Sequence, residues 1–301
     1  MVNLAPLKYA KVLRTHGGPI ERVACHPLRH REEWYQAVAF LSPHLNLKKS
    51  GVEVFGDADG TGTDRSPMLA RFKAISEALE RWALYFLLQC GETDRYGLDI
   101  DPSSNGMAAY PGLFRAGARW RARVEAVERY CLIQWWKGEL RAKGIPCSED
   151  GLYAAEIENP LTSHKVVIVW RKNRHGLYAY GFAAARNLRQ ALEGARIEMD
   201  RASAAMGIFL TRNPTFGPAD MHKIKNWQER RVLWFAMDEG HEQFYYRLRE
   251  SLKVRSQPDS PLPVVDSELL GPWSRYAHVW RVLYPVSDDA HLDPAENFFF
   301  W

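Results

Sequence analysis

No apolar run in this 301-residue sequence approaches the roughly 18 residues that a membrane span needs, and residues 1–13 lack the apolar core of a secretory signal. The four cysteines, Cys25, Cys90, Cys131 and Cys147, form no Cys-x-x-Cys pair. Neither a zinc ribbon nor a disulfide framework is expected, and reduced thiols point to the cytoplasm. Ten histidines include no His-Glu-x-x-His arrangement, and the pair at i,i+4, His26 and His30, lies across Pro27, which opposes a helix. There is no Gly-x-Ser-x-Gly elbow and no Walker-type lysine loop. A basic block is missing too: 40 Lys and Arg are scattered among 36 Asp and Glu for a net charge of +4. Nucleic acid and membrane are therefore not expected as partners.

What is present is the material of an ordinary packed protein, 46% hydrophobic and 25% charged, with no shift of composition that would divide it. A single domain over 1–301 is expected. One helix-sized stretch is written twice. Residues 70–84 recur 48 positions later at 118–132, with eight of fifteen pairs identical: Ala70/Ala118, Arg71/Arg119, Ala74/Ala122, Glu77/Glu125, Ala78/Ala126, Glu80/Glu128, Arg81/Arg129 and Leu84/Leu132. Each copy carries Glu-x-x-Glu-Arg. A third, degraded copy follows Asn187, whose pairing with Gln190 is a capping-box pattern. Setting Glu198 on Glu77 and Glu125 places Ala191 on Ala70 and Ala195 on Ala74, with Arg201 where the other copies have glutamate.

The remaining segments are read around these helices. Alternation at 20–25 and 35–40 fits strands of a half-buried sheet. Residues 52–55 lead into a glycine-rich turn at 56–63, and Ser66 with Pro67 forms a helix start. A glycine loop in that place can cradle phosphate; an ordinary loop is the other reading. Residues 101–106 are turn-rich, 152–158 and 164–171 read as a hairpin, and 219–251 as a helical segment broken near Gly240. A loop is expected at 256–263, a strand at 277–284, and a buried aromatic tail at 298–301.

Residues three apart on a helix share a face, so Glu77 with Glu80, and Glu125 with Glu128, project as pairs. Like charges at that spacing cost a few tenths of a kcal/mol, and something must offset them. Solvent with Arg81 and Arg129 is one answer. A divalent metal is the other, favoured by the repetition: Mg2+ binds carboxylate oxygens, keeps waters and shares its sphere with phosphates. Lys73 and Arg121, each four residues ahead of the first glutamate, can pair with it or reach a phosphate. Ala70, Ala74, Ala118 and Ala122 leave room for a ligand or for a closely packed helix.

Taken together these stretches resemble the YcaO family, ATP-dependent enzymes that activate peptide backbone amides. The resemblance covers most of 51–205. It rests on Gly60 and Gly62 before Glu-Ala-Leu-Glu-Arg, then Ser103-Ser104-Asn105-Gly106-Met107-Ala108 ahead of Glu-Ala-Val-Glu-Arg and Trp135-Trp136, then the Ala-x3-Ala-x2-Glu helix. It implies a mixed α/β (α+β) fold, with mixed sheets flanked by helices and a nucleotide cleft between the quasi-repeated helices. ATP would sit on Mg2+ held by Glu77, Glu80, Glu125 and Glu128, with Glu198 a further candidate. Arg81, Arg129, Lys73 and Arg121 would lie nearby, and Asn105 would touch nucleotide or metal. Arg281 would be a phosphate contact or a structural salt bridge.

The implied reaction is O-phosphorylation of a peptide amide, leading to an azoline, amidine or thioamide in a ribosomally made peptide or protein. The implied partners are that substrate and a leader-peptide-binding or TfuA-type protein, with a homodimer allowed. Three departures stand out. Lys73 and Arg121 replace the serine that leads the motif in azoline-forming members, Arg201 replaces a glutamine, and the chain closes on Asn297-Phe298-Phe299-Phe300-Trp301 in place of a proline-rich tail. The alternatives are a scaffold that binds nucleotide or leader peptide and acts only with a partner, and an interaction protein in which the helices are purely core.

Overall fold

The computed structural model describes residues 3–28, 31–45, 54–254, 260–286, 288–294 and 297–301. In chain order its elements are α1 (Ala5–Lys8), β1 (Ile20–Leu28), β2 (Arg31–Leu41), β3 (Gly60–Asp64) and α2 (Pro67–Cys90). Then come β4 (Met107–Tyr110), α3 (Ala116–Lys137), β5 (Ala142–Ile145), β6 (Tyr153–Ile157), β7 (Lys165–Lys172), β8 (Tyr178–Ala185) and α4 (Leu188–Arg212). The last are α5 (Trp227–Ala236), α6 (Asp238–Ser251), β9 (Val265–Leu269) and β10 (His278–Leu283). The mixture of helix and strand is as expected, and every pair of named strands is antiparallel.

The chain divides into two compact units, each discontinuous in sequence. One takes 1–49, 57–126 and 263–284; the other takes 50–56, 127–262 and 285–301. Helix α3 contributes its first half to the first unit and its second half to the other.

In the first unit β1, β2 and β3 form a sheet in that order, and β4, β10 and β9 form another. The stretch read as a glycine turn is in its second half strand β3. Gly60 and Gly62 pair there with Ala39 and Ala37 of β2. A Cβ on Gly60 would lie 2.2 Å from the Ala74 carbonyl oxygen, and one on Gly62 would lie 2.2 Å from that of Ala70. The helix backbone thus rests directly on the strand. Ala70, Ala74 and Ala78, all fully buried, complete the contact from the helix side. The alanine ridge packs closely, against a strand and not another helix, and the glycines serve that approach and not a loop. Ser66 caps α2 by accepting the Leu69 N–H at 3.4 Å, and Pro67 opens it.

The second unit repeats the device. Its sheet runs β5-β6-β7-β8, and α4 lies on it after an Asn187 cap that accepts the Gln190 N–H at 3.0 Å. A Cβ on Gly181 of β8 would lie 2.0 Å from the carbonyl oxygen of Ala195, the residue that aligns with Ala74. The third copy therefore extends to a strand and helix together. β6 and β7 are the expected hairpin. The segment expected as helical from 219 is a 3-10 turn to Lys223, an interruption at 224–226, and then α5 and α6, which part at Met237, while Gly240 lies within α6. There a Cβ would meet the Trp234 carbonyl oxygen at 2.2 Å, so that glycine admits close packing and does not end the helix. Phe298, Phe299 and Phe300 are buried, and Phe299 packs on Trp135, Trp136, Phe235 and Phe244. Parts of three expectations, 52–53, His30 and 256–259, lie outside the described residues.

Candidate functional site

The close seat of α2 on β3 fixes where its acidic pair stands. Glu77 reaches the strand: its Oε2 accepts both the backbone N–H and the hydroxyl of Thr61, at 3.0 Å each. Glu80, one turn on, is only 8% exposed. Arg81 donates from Nη1 to the Ser104 hydroxyl and holds Nη2 at 4.0 Å from Glu77 Oε1. Burial works against its charge, but Glu77, Glu80, Tyr85 and Glu125 outweigh that and hold the guanidinium above its ordinary range. Three of the four motif glutamates therefore raise the charge preference of one arginine, Glu77 from 4.0 Å.

The turn ahead of β4 supplies a second group in the same unit. Asp101 accepts the Ser103 N–H and the Asn105 side-chain amide, both at 2.9 Å, and Gly106 turns the chain in a left-handed conformation with φ 65°. The Asp101 carbonyl oxygen in turn accepts from Arg281 Nη2 at 2.5 Å. Arg281, on β10, is 0% exposed, and its Nε and Nη1 have no hydrogen-bond partner among the described residues. Burial pushes its pKa down, opposed by Asp101, Glu125 and Asp99. A buried guanidinium with two unbonded N–H faces is costly unless an anion meets it.

In the second unit Glu128, 8% exposed, accepts the Ala184 N–H of β8 at 2.9 Å. Arg129 Nε lies 3.8 Å from the other oxygen of Glu128, and its Nη1 donates to the Trp301 carbonyl at 2.7 Å. Its guanidinium also stacks over Phe182 and Phe300. Glu198 and Arg201 are half-buried on α4. Lys73 does not turn along its own helix; Nζ bonds the Thr63 carbonyl at 2.9 Å and the Asp64 carboxylate at 2.8 Å. Arg121 is exposed and lies 4.8 Å over the Tyr110 ring.

Sequence reasoning did not single out Thr61, Asp101 or Ser104. Ser104 lay inside a quoted motif, and Asp101 two residues before Ser103 is the spacing of an Asx turn. Nothing in the sequence marks Thr61 apart from its place between two glycines.

Among the described residues no group of three or more His, Cys, Asp or Glu side chains closes on a point as a metal cage. Mg2+ does not require one, since it binds through one or two carboxylates plus waters and phosphate. Carboxylates gathered near Arg81, with the unbonded N–H groups of Arg281 in the same unit, fit a metal-bound phosphate. No described helix is long and apolar enough to cross a membrane.

No protein-family profile and no curated protein matches the chain. Among solved structures it is similar to a YcaO from Methanopyrus kandleri bound with AMPPCP and Mg2+, with a TM-score of 0.54 and 10% identity over 95% of this chain and 90% of that one. It also matches a heterocyclase in complex with substrate and cofactor, with a TM-score of 0.47 and 13% identity over 91% of this chain and 50% of that one. Taken over nearly its whole length, the chain has the YcaO-family fold.

Proposed function

We propose that the chain binds ATP with Mg2+ and acts on a peptide backbone amide. Bound ATP would supply the phosphoryl group that makes a leaving group of the amide oxygen once a thiol, hydroxyl, amine or sulfide has added to the carbonyl. Azoline, amidine or thioamide products in a ribosomally made peptide or protein follow from that chemistry. The protein's share is positioning and charge neutralisation, as in phosphoryl transfer generally. Glu77, Glu80 and Glu125 are the proposed magnesium ligands of the first unit, with Glu128, one turn further along α3, and Glu198 on α4 as further ones. Arg81 holds the carboxylates together, Arg281 offers N–H groups to a phosphate, and Asn105 is oriented by Asp101. Lys73 and Arg121, engaged with β3 and Tyr110, stand outside the proposed set. The reading takes the chain as one cytoplasmic YcaO-like domain, with a leader-binding or TfuA-type protein as its partner.

The observation that carries this reading is Arg281, fully buried with two unbonded donors, in the same unit as Arg81 and the Glu77 that faces it at 4.0 Å. The engagement of Lys73 with β3 favours a second reading, a scaffold that binds nucleotide without turnover. Calorimetry separates them from a purely structural role. Wild type should bind ATP only with Mg2+, and Glu77→Gln should lose most of that binding. Phosphate release on addition of candidate peptide substrates then separates enzyme from scaffold. Failure of wild type to bind Mg-ATP would sink both.

A further inference from the structure

We propose that Thr61 is a positioning residue that makes Glu77 a one-oxygen ligand and so selects Mg2+ over Ca2+. This rests on the Mg-nucleotide reading above. Glu77 Oε2 accepts two hydrogen bonds from Thr61, one from the main chain and one from the hydroxyl, each at 3.0 Å. Two donors occupy the two lone pairs of that oxygen. The other oxygen, Oε1, has Arg81 Nη2 4.0 Å away. A carboxylate held in this way cannot rotate to offer both oxygens, and it presents Oε1 in a fixed direction.

The strand itself makes this geometry rigid. Thr61 lies between Gly60 and Gly62, the two residues on which the α2 backbone rests, so the span from Thr61 to Glu77 is set by backbone contact and not by flexible side chains. The second unit offers a parallel at the other glutamate of its motif, Glu128, which aligns with Glu80 and not with Glu77. There Glu128 Oε2 accepts the Ala184 N–H of β8 at 2.9 Å, while Oε1 faces Arg129 Nε at 3.8 Å. In both cases a strand amide takes one oxygen and the arginine of the motif faces the other. At Thr61 the side-chain hydroxyl adds a second lock.

The consequence is selective. Mg2+ demands octahedral geometry at about 2.0–2.1 Å, which one oxygen per carboxylate satisfies, whereas Ca2+ takes more oxygens at longer range and accepts bidentate carboxylates. Groups that orient a ligand from behind typically contribute about 10–100-fold to metal affinity.

The test titrates Mg2+ and Ca2+ calorimetrically into wild type, Thr61→Val and Thr61→Ser, each saturated with a non-hydrolysable ATP analogue. Thr61→Val keeps the branched shape and the backbone N–H while removing the hydroxyl. It should weaken Mg2+ about 10-fold and change Ca2+ by less than about 3-fold, and Thr61→Ser should restore Mg2+. Equal Mg2+ affinity in wild type and Thr61→Val overturns the inference. So does a loss of both ions that Thr61→Ser does not repair. If wild type binds no Mg-nucleotide, the proposed function itself falls, and that result is distinct from wild type binding while the variants match it.

Discussion

Replacing Arg81 with methionine removes the guanidinium that Glu77, Glu80 and Glu125 share. At 4.0 Å from Glu77 the raw attraction is about 4 kcal/mol at an effective dielectric of about 20. Both side chains are 35% exposed, so screening reduces this to roughly 1 kcal/mol. The charged hydrogen bond to Ser104 adds about 1.5–3 kcal/mol, for a total loss near 3 kcal/mol. With about 2.1 cal/mol/K of unfolding entropy per residue, a chain of 301 residues loses roughly 5 °C of Tm. The diagnostic part is rescue. Without the guanidinium these carboxylates lose their shared counter-charge, which a bound Mg2+ would replace, so Mg2+ at about 100 times its Kd should return about 2.7 kcal/mol to Arg81→Met. Mg2+ alone should do much less for wild type, where the guanidinium competes. Calorimetric melts at low ionic strength, with and without Mg2+ and with Arg81→Lys as the intermediate case, read both effects. A variant melting within about 1 °C of wild type, or equal Mg2+ stabilisation of both, would refute the reasoning.

Three further outcomes follow from the second unit. His241 accepts or donates at Nδ1 to the Tyr180 hydroxyl at 2.7 Å and stacks on Tyr178; burial lowers its pKa from 6.5 to about 4. The unfolded chain then takes up the proton first as pH falls, so the neutral ring's contribution is whole above pH 6.5 and is lost between 6.5 and about 4. Partial exposure holds that contribution to about 1–2 kcal/mol, and melts of His241→Gln across this window should show a flatter acid limb than wild type. Gly181→Ala should cost about 3 kcal/mol or more in urea unfolding, because its methyl would meet the α4 backbone. Gly144→Ala in β5, with nothing within 4 Å, should shift stability by less than about 1 kcal/mol.

The difference between those two glycines also marks how far the sequence could be read. Helices α2, α3 and α4 were legible because alanine and glutamate recur at helical spacing three times, and the caps at Ser66 and Asn187 state where two of them begin. Gly60-Thr61-Gly62 was not, because glycine in a row of small residues suits a loop as well as a strand. Only the alanine ridge on α2 decides between them, and that requires knowing which face of the helix meets which strand. β4, four buried residues without alternation, and β8, whose alternation is hidden by alanines, escaped for the same reason: small residues carry little periodic signal. The site follows the same line. Its proposed carboxylates are local, spaced three apart on single helices, and stand out in the sequence. What orients them is not local: Thr61 sits 16 residues from Glu77, and Arg281 is joined to Asp101 across 180. An arginine in a strand sequence gives no sign of being buried with unbonded donors. The proposed ligands are therefore written in helical periodicity, while the residues that would aim them appear only once the strands are in place.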